Sequence, residues 1–400
     1  MPSDGDRKPD GEVLVLGVGH SGSRFLMELA RLPASRRLRL VGIDTDEESL
    51  VGAAGIEVIR IGRGVNRPHG CGGDVSMGQR AAAAAAADFR RVMDGARLVI
   101  VCAGLGGGTG TGAAVSLARH ARDLGVPSFF MVTVPFAFEG TWKRTQAEEV
   151  LPQLREYADS VAAIPNDALF SHCAADIDAG EAFAIADRMI AECVGGMAGM
   201  AWADRMLSAD FGTIQAVLRR QTGLCRLASG KGSGAGRWTA AVESFLNCPL
   251  IGSADSLNEV VDAVICLHVK GPVTITEVSA CVARLEKSFG EGVRLSIGVC
   301  RVDDADDDVR MTGILCVDSA HASRMTPAAE AAGPSPVSEP VKSPPRHHRG
   351  GPLIQEELPI QEYSLGLFAN TSPTRYREEN LDVPTFQRKG LKLDLGGWKK

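Results

Sequence analysis

The glycine-rich segment AGLGGGTGTGAA at residues 103–114 constrains the fold most strongly. It follows an apolar run at 97–103 and precedes a helical pattern. Glycines 104, 106, 107, 108, 110 and 112 let the backbone approach a ligand without Cβ clashes. The following helix presents N-terminal amides and the positive end of its dipole. A tight turn needs only one or two glycines, so the segment predicts a phosphate-binding loop, and the missing GK[ST] excludes a P-loop.

Short apolar runs alternate with helical patterns as far as about residue 210. Strands are predicted at 12–18, 38–43, 56–61, 97–103, 128–134 and 160–164, and a helix at 78–94. This alternation predicts a parallel, doubly wound α/β sheet. Two more glycine-rich loops, 17–23 and 69–78, follow the first and third strands. Loops at one carboxyl edge converge, so together the three predict a broad cradle for a triphosphate.

The order of the predicted helices and strands changes in the second half of the chain. A long helical pattern at 179–205 is followed by helices at 212–221, 236–246 and 274–289 and by strands at 262–269, 293–302 and 309–317. Strands that follow one another after helices favour an α+β second domain. The predicted organisation is a disordered N-terminus at 1–11, a nucleotide-binding domain at 12–178, a central helix at 179–205, an α+β domain at 206–317, a flexible linker at 318–379 and a docking peptide at 380–400.

The linker and the docking peptide are predicted from composition. The linker contains AGPSPVSEPVKSPPRHHRGGPL, which is rich in Pro, Ser and Gly and has too little apolar surface to order itself. Patterned sequence returns in NLDVPTFQRKGLKLD at 380–394. A patterned peptide after a disordered tether indicates a docking motif, and an unstructured tail is the alternative.

Composition excludes several classes of protein. The 400 residues are 44% hydrophobic with a net charge of −6, which gives no global attraction to nucleic acid. No apolar run approaches the roughly 18 residues of a membrane span. The ten cysteines form no CxxC pair and show no metal-ligand spacing, so we expect a reducing cytoplasm and no metal held by the protein.

Several motifs together resemble the FtsZ branch of the tubulin superfamily. They are GGGTGTG at 106–112, IDTDEESL at 43–50, PFAFEG at 135–140, IPNDALF at 164–170 and LDVPTFQRK at 381–389. The resemblance covers nearly the whole chain except the linker. It implies a GTP- or GDP-binding protein, with Mg²⁺ held through the phosphates, that forms head-to-tail homopolymers at the mid-cell division site. A membrane-tethering adaptor would bind Leu381–Lys389.

The resemblance also assigns roles to individual residues. The first phosphate loop would contain His20, Ser21, Gly22, Ser23 and Arg24; the signature loop Gly106, Gly107, Gly108, Thr109, Gly110 and Thr111; and the remaining nucleotide contacts Glu139, Lys143, Asn166 and Asp187. The catalytic loop, supplied by a neighbouring subunit, would contain Ser208, Asp210 and Thr213. Two plainer interpretations stay open: His20 as an exposed loop histidine, and Asp210 as a helix cap.

The departures from the family cluster in these positions. Thr213 replaces the second catalytic aspartate and cannot orient water as a carboxylate does. Ser208, Arg24 and Asp44 stand where the family has asparagine, and Lys143 stands where it has arginine. Weak hydrolysis is therefore expected. The alternatives are a hydrolysis-deficient filament or regulatory protein that copolymerises with a second FtsZ-like protein, a scaffold without nucleotide, and a Rossmann oxidoreductase, which the first glycine loop allows.

Overall fold

The computed structural model describes residues 12–317, 375–376 and 379–380, with short gaps. The gaps are 47–48, 50–54, 64–69, 171–176, 200–204, 208–210, 221–223, 253, 291 and 303–307. The described helices are α1 Gly19–Arg31, α2 Val75–Ala84, α3 Ala86–Met93, α4 Gly108–Asp123, α5 Thr141–Tyr157, α6 Asn166–Phe170, α7 Ala179–Gly199, α8 Phe211–Arg220, α9 Arg237–Leu246 and α10 Ile275–Ser288. The described strands are β1 Val13–Val18, β2 Leu38–Asp44, β3 Ile56–Arg60, β4 Leu98–Gly104, β5 Ser128–Val134, β6 Ser160–Pro165, β7 Arg205–Leu207, β8 Leu224–Gly232, β9 Val260–Val269, β10 Arg294–Arg301, β11 Val309–Val317, β12 Arg375–Tyr376 and β13 Glu379–Asn380.

The first half of the sheet is parallel, in the order β3-β2-β1-β4-β5-β6. All of β1 and the first six residues of β4 are buried. Burial of successive residues, rather than of alternate ones, requires cover on both faces of the sheet. The predicted doubly wound parallel sheet is therefore confirmed.

The long helix α7 lies between the two halves of the sheet. It packs against α1 in the first half and against β8 and β11 in the second. Its buried side chains recur at helical spacing and are Ala186, Ile190, Ala191, Cys193, Val194 and Met197. The helix thus contributes apolar surface to the core of both halves.

The second half of the sheet is mixed. Strand β8 pairs in parallel with β6 over a short stretch, and β11 lies antiparallel between β8 and β9. Strand β10 then runs parallel to β9, and β7 antiparallel to β10. One sheet of eleven strands results, with α9 and α10 packed on each other and α9 against β8 and β11. The expected mixture of helices and strands is confirmed.

Three elements differ from the sequence prediction. Arg205, the last residue of the helix predicted at 179–205, lies in strand β7, and α7 is described as Ala179–Gly199. The helix expected at 78–94 is divided at Ala85, which has φ −93° and ψ 11°; a run of alanines contains no local signal for that break. Strand β8 was not predicted because its SGKG end resembles a turn. Its glycines allow α9 to approach closely: a Cβ on Gly232 would lie 1.9 Å from the carbonyl oxygen of Arg237.

The chain divides into two units, Met1–Ala332 and Gly333–Lys400. In the second unit, the two-residue strands β12 and β13 pair antiparallel. The predicted N-terminus 1–11 lies outside the described residues, as do nearly all of the linker 318–379 and of the peptide 380–400, so these assignments stay predictions. No helix in the described part of the chain is long and apolar enough to cross a membrane.

Candidate functional site

A cleft of about 260 Å³ lies at the carboxyl ends of β1, β2 and β4. This is the edge where open parallel sheets bind ligands. The loops after these three strands meet there, joined by the segment before α2 and by the start of α5. The lining residues are Val18, Gly19, His20, Ser21, Asp44, Thr45, Asp46, Ser49, Gly70, Cys71, Gly72, Gly104, Leu105, Gly107, Gly108, Thr109, Gly110, Glu139 and Lys143.

The N-terminus of α4 forms one wall of the cleft. Gly107 is the N-cap, and no side chain caps the first turn. Gly107, Gly108, Thr109 and Gly110 all line the cleft. The first amides of a helix have no partner within the helix and carry the positive end of its dipole. The wall therefore offers backbone donors to an anionic ligand.

The glycines of this loop serve two different purposes. A Cβ on Gly108 would lie 2.6 Å from the Cβ of Cys71, and one on Gly112 would lie 2.6 Å from the backbone nitrogen of Gln79. Close packing of α4 against the segment around α2 thus explains these two glycines. Gly107 is different, because its φ is −97° and a Cβ there would meet no heavy atom within 4 Å. Packing within the protein does not require Gly107, whereas a ligand in the cleft would.

A hydroxyl and thiol cluster forms the floor beside α4. The Oγ1 atoms of Thr45 and Thr109 lie 2.7 Å apart, and Thr45 Oγ1 lies 3.4 Å from Cys71 Sγ. Asp44, at the end of β2, accepts hydrogen bonds from the amide of Thr45 at 2.7 Å and from the hydroxyl of Ser49 at 2.6 Å. The carboxylate of Asp44 therefore holds the turn after β2 in place.

The first phosphate loop divides into lining and packing residues. His20 and Ser21 line the cleft. Gly22 and Ser23 are buried in α1: a Cβ on Gly22 would lie 2.6 Å from the carbonyl oxygen of Cys102, and Ser23 Oγ donates to the carbonyl of Gly19 at 2.9 Å. These two residues fix α1 against the sheet and do not face the cleft.

Arg24 and Asp187 form an ion pair beside the cleft. Arg24 Nη2 lies 3.0 Å from Asp187 Oδ2, and the guanidinium lies 4.7 Å from the ring centroid of Phe183. Phe183 contacts Phe136 edge-on, with centroids 5.1 Å apart. Burial raises the pKa of Asp187 to about 6, against the opposing effect of Arg24 and with a smaller contribution from nearby Glu28. Neither member of the pair lines the cleft.

Glu139 and Lys143 line the cleft as a pair. Lys143 Nζ lies 2.9 Å from Glu139 Oε2, and the other carboxylate oxygen accepts from the amide of Phe136 at 3.0 Å. The neighbouring Arg144 is bound to Asp167 at 3.2 Å. The ammonium at the cleft is therefore Lys143, while Arg144 is engaged elsewhere.

Three further expected contact residues do not line the cleft. Asn166 begins α6 and is half-buried. Gly106 adopts φ 86°, a left-handed turn that favours glycine. Thr111 is buried within α4, and its Oγ1 has no hydrogen-bond partner among the described residues.

Helix α8 lies at the opposite edge of the sheet. Gln215 Nε2 donates to the carbonyl of Arg97 at 2.9 Å, just before β4 begins, and Ser160 at the start of β6 donates to the carbonyl of Leu218 at 2.9 Å. The cleft lies at the other end of these strands. The seven residues of β4 separate the two edges by about 20 Å at about 3.3 Å per residue.

This position decides what the predicted catalytic loop can reach. Thr213 is in the first turn of α8 and is half-buried. Ser208 and Asp210 lie outside the described residues. Since α8 is at the amino edge, Thr213 cannot contact a ligand in the cleft of its own chain.

Sequence reasoning identified the segments of the cleft better than its individual side chains. The turn at 43–50 and the loop at 69–78 were recognised, but Thr45, Asp46, Ser49 and Cys71 were not selected as contact residues. Their signal is positional: Thr45, Asp46 and Ser49 follow β2, whose carboxyl end reaches the cleft, and Cys71 lies in the segment before α2.

Comparison with known proteins agrees with this geometry. Residues 12–174 match the model of the Tubulin/FtsZ family, GTPase domain. Cell division protein FtsZ 1 of Pyrococcus furiosus is 31% identical over 60% of this chain and 63% of its own length, so the chain spans less than two thirds of that relative. The FtsZ 1 of Methanocaldococcus jannaschii is 28% identical over 75% of this chain and 81% of its own.

Solved structures give the same result. An empty FtsZ dimer from M. jannaschii superposes with a TM-score of 0.70 at 26% identity, covering 78% of this chain and 89% of that one. The CetZ2 protofilament of Haloferax volcanii with GTPγS bound shares the fold, with a TM-score of 0.63 at 20% identity, covering 78% and 95% of the two chains. Residues 12–174 therefore match the GTPase domain of the tubulin/FtsZ family, and the chain shares the fold of FtsZ over 78% of its length.

Proposed function

We propose that the cleft binds GTP or GDP, with the phosphates at the N-terminus of α4. The observation that carries this proposal is Gly107, whose missing side chain leaves space in the cleft that packing does not require. Backbone amides of the first turn of α4 would bind the phosphate oxygens. The carboxylates that line the cleft are those of Asp44, Asp46 and Glu139; Asp44 already holds the turn after β2, and Glu139 is paired with Lys143. Mg²⁺ would therefore be held mainly through the phosphates.

The chain would act as a head-to-tail polymer. Helix α8 and the cleft occupy opposite edges of one sheet, about 20 Å apart at about 3.3 Å per residue. If Thr213, with Ser208 and Asp210, acts on a nucleotide, that nucleotide must be in the cleft of a neighbouring copy. Such an interface would complete the hydrolytic site only in the filament.

Hydrolysis in this filament would be slow. A threonine at 213 cannot carry the charge that orients and polarises water, and loss of such a group lowers a rate by on the order of 10²- to 10⁴-fold. In the alternative function, GTP binding persists without useful turnover, and the chain copolymerises with an active FtsZ-like protein. Both versions would place the protein at the bacterial division ring, tethered through Leu381–Lys389 to a membrane adaptor.

Two other candidates have less support. A scaffold without nucleotide does not account for the open space at Gly107. A Rossmann oxidoreductase would bind its cofactor at the first glycine loop, whereas this cleft is lined by the loops after β1, β2 and β4 together. Purified protein should therefore retain GDP or GTP rather than NAD, and chromatography of the released nucleotide distinguishes the two.

The binding site is tested with two matched glycine variants. Gly107 is the N-cap of α4, and Gly236 is the N-cap of α9; at both, an added Cβ meets no heavy atom within 4 Å. Gly107→Ala should weaken GTP binding by about 10- to 100-fold, the effect of losing one hydrogen bond to a charged group. Gly236→Ala should bind GTP as the wild type does. Equal affinity of all three proteins for a fluorescent GTP analogue would refute a phosphate site at α4.

The filament mechanism is tested by GTP turnover against protein concentration with Mg²⁺, alongside sedimentation. Specific activity that rises above a threshold concentration would indicate a site completed by a neighbour. Bound GTP with negligible turnover, partly restored in Thr213→Asp, would support the hydrolysis-deficient alternative. Turnover that is independent of protein concentration would contradict both versions.

A further inference from the structure

A second cluster of ligand-type side chains lies far from the cleft, between β9 and β10. Cys266 and His268 alternate along β9 and so point to the same face of the sheet. Cys300 on β10 is the register partner of His268. The sulfur of Cys266 lies 3.1 Å from His268 Nε2 and 3.9 Å from the sulfur of Cys300. All three ligand atoms lie within 4.8 Å of one another.

These separations are close to those of a zinc site. With Zn–S bonds of about 2.3 Å and Zn–N bonds of about 2.0 Å, tetrahedral geometry places two sulfurs about 3.8 Å apart and a sulfur and a nitrogen about 3.5 Å apart. Cys266 and Cys300 already have this separation. The imidazole of His268 would have to move by only a few tenths of an ångström.

An unsatisfied hydroxyl lies at the same place. Thr312 on β11 is the register partner of Cys266, is 1% exposed, and its Oγ1 has no hydrogen-bond partner among the described residues. Buried hydroxyls are normally paired. Helix α7 covers this position: a Cβ on Gly196 would lie 2.3 Å from Thr312 Oγ1, and the carbonyl of Gly196 lies 3.1 Å from His268 Nε2. An oxygen ligand is therefore close to the two sulfurs and the imidazole.

The charges also suit a divalent cation. Two thiolates would neutralise Zn²⁺, which removes the cost of burying an isolated charge. A neutral imidazole is the form that binds a metal. The competing interpretation is a neutral His268 that donates to Gly196, with two thiols that only fill the core.

We propose that Cys266, His268 and Cys300 bind one Zn²⁺ ion, with an oxygen from Thr312 or Gly196 as the fourth ligand. The ion would connect β9 and β10 to the overlying helix α7. No residue of the nucleotide cleft takes part, so this metal site can be tested independently of the proposed GTP binding. Its role would be structural, because all of its ligands are buried.

The test uses full-length protein freed of metal and nucleotide by chelator and gel filtration, then titrated with Zn²⁺ or Co²⁺ alone. The wild type should take up one equivalent of Zn²⁺, and its Co²⁺ form should show sulfur-to-cobalt charge-transfer absorption. Cys266→Ser and Cys300→Ser should each weaken Zn²⁺ binding at least about tenfold. Cys281→Ser, at a buried cysteine of α10 outside the cluster, should bind as the wild type does.

Two results would overturn the proposal. One is a folded wild type that shows no cobalt–thiolate absorption, a measurement that does not depend on whether the serine variants fold. The other is retention of one equivalent of Zn²⁺ with unchanged affinity in both Cys266→Ser and Cys300→Ser, which would place the metal elsewhere. Thr312→Val adds a milder check, since it removes the candidate oxygen and leaves the sulfurs in place.

Discussion

The buried carboxylate of Asp187 should make the stability of this protein depend on pH. Its pKa lies at about 6 in the folded chain, against an ordinary value of 3.8. The folded state therefore holds this proton at pH values where the unfolded chain has released it. Because the folded pKa is the higher one, stability is lost as the pH rises from about 4 to about 6.

The size of this effect follows from the same two values. The interval between 3.8 and about 6 corresponds to about 3 kcal/mol, at about 1.4 kcal/mol per pH unit. An asparagine at 187 does not titrate, so Asp187→Asn should lack this loss. The free energy of unfolding of the variant, relative to the wild type, should increase by about 2.5 kcal/mol between pH 4 and pH 7.

The assay is urea unfolding followed by circular dichroism at several pH values from 4 to 7.5, without nucleotide. Asp123→Asn, at the exposed end of α4, controls for the loss of one negative charge. A difference between wild type and Asp187→Asn that stays constant across this range would refute the reasoning. It would mean that Arg24, 3.0 Å away, offsets the cost of burying the carboxylate.

Three further changes have defined outcomes. Arg24→Asn removes the cation 3.0 Å from Asp187 that opposes the effect of burial, so the pKa of Asp187 should rise further in an NMR titration; an unchanged pKa would contradict this effect of the ion pair. Asp74→Ala removes the N-cap that accepts from two amides of α2 and should lower the midpoint of urea unfolding; a midpoint equal to that of the wild type would contradict the capping. Thr45→Val removes the hydroxyl 2.7 Å from Thr109 Oγ1 and should lower stability by about 1 kcal/mol, and an unfolding midpoint equal to that of the wild type would contradict a stabilising hydroxyl pair.

The strands of the parallel half were predictable because apolar runs and glycines are features of neighbouring residues in the sequence. Apolar runs such as 128–134 became β5 with the predicted bounds, and the glycines at 104–112 marked the turn into α4. The long helix and strands β9, β10 and β11 of the second half were also recognised. Strand β8 was missed because its glycines resemble a turn until α9 is placed beside them.

In the candidate site, too, the sequence determined some features and the packing of the chain determined others. The sequence determined that glycine loops follow parallel strands, and therefore that a cleft forms at their carboxyl ends. It did not determine which glycines pack and which face the ligand: Gly112 supports the contact with Gln79, while Gly107 faces open space. That distinction depends on where α2 lies against α4, and no local pattern specifies the position of one helix against another.

Contacts between distant residues were decided by tertiary structure alone. The ion pair of Arg24 with Asp187 requires α1 to pack against α7, and the grouping of Cys266 with Cys300 requires the register of β9 with β10. A sequence determines which segments become strands and helices, because each depends on a few neighbouring residues. Only the packed chain decides which side chains of separate segments meet, because register and helix docking depend on the whole core at once.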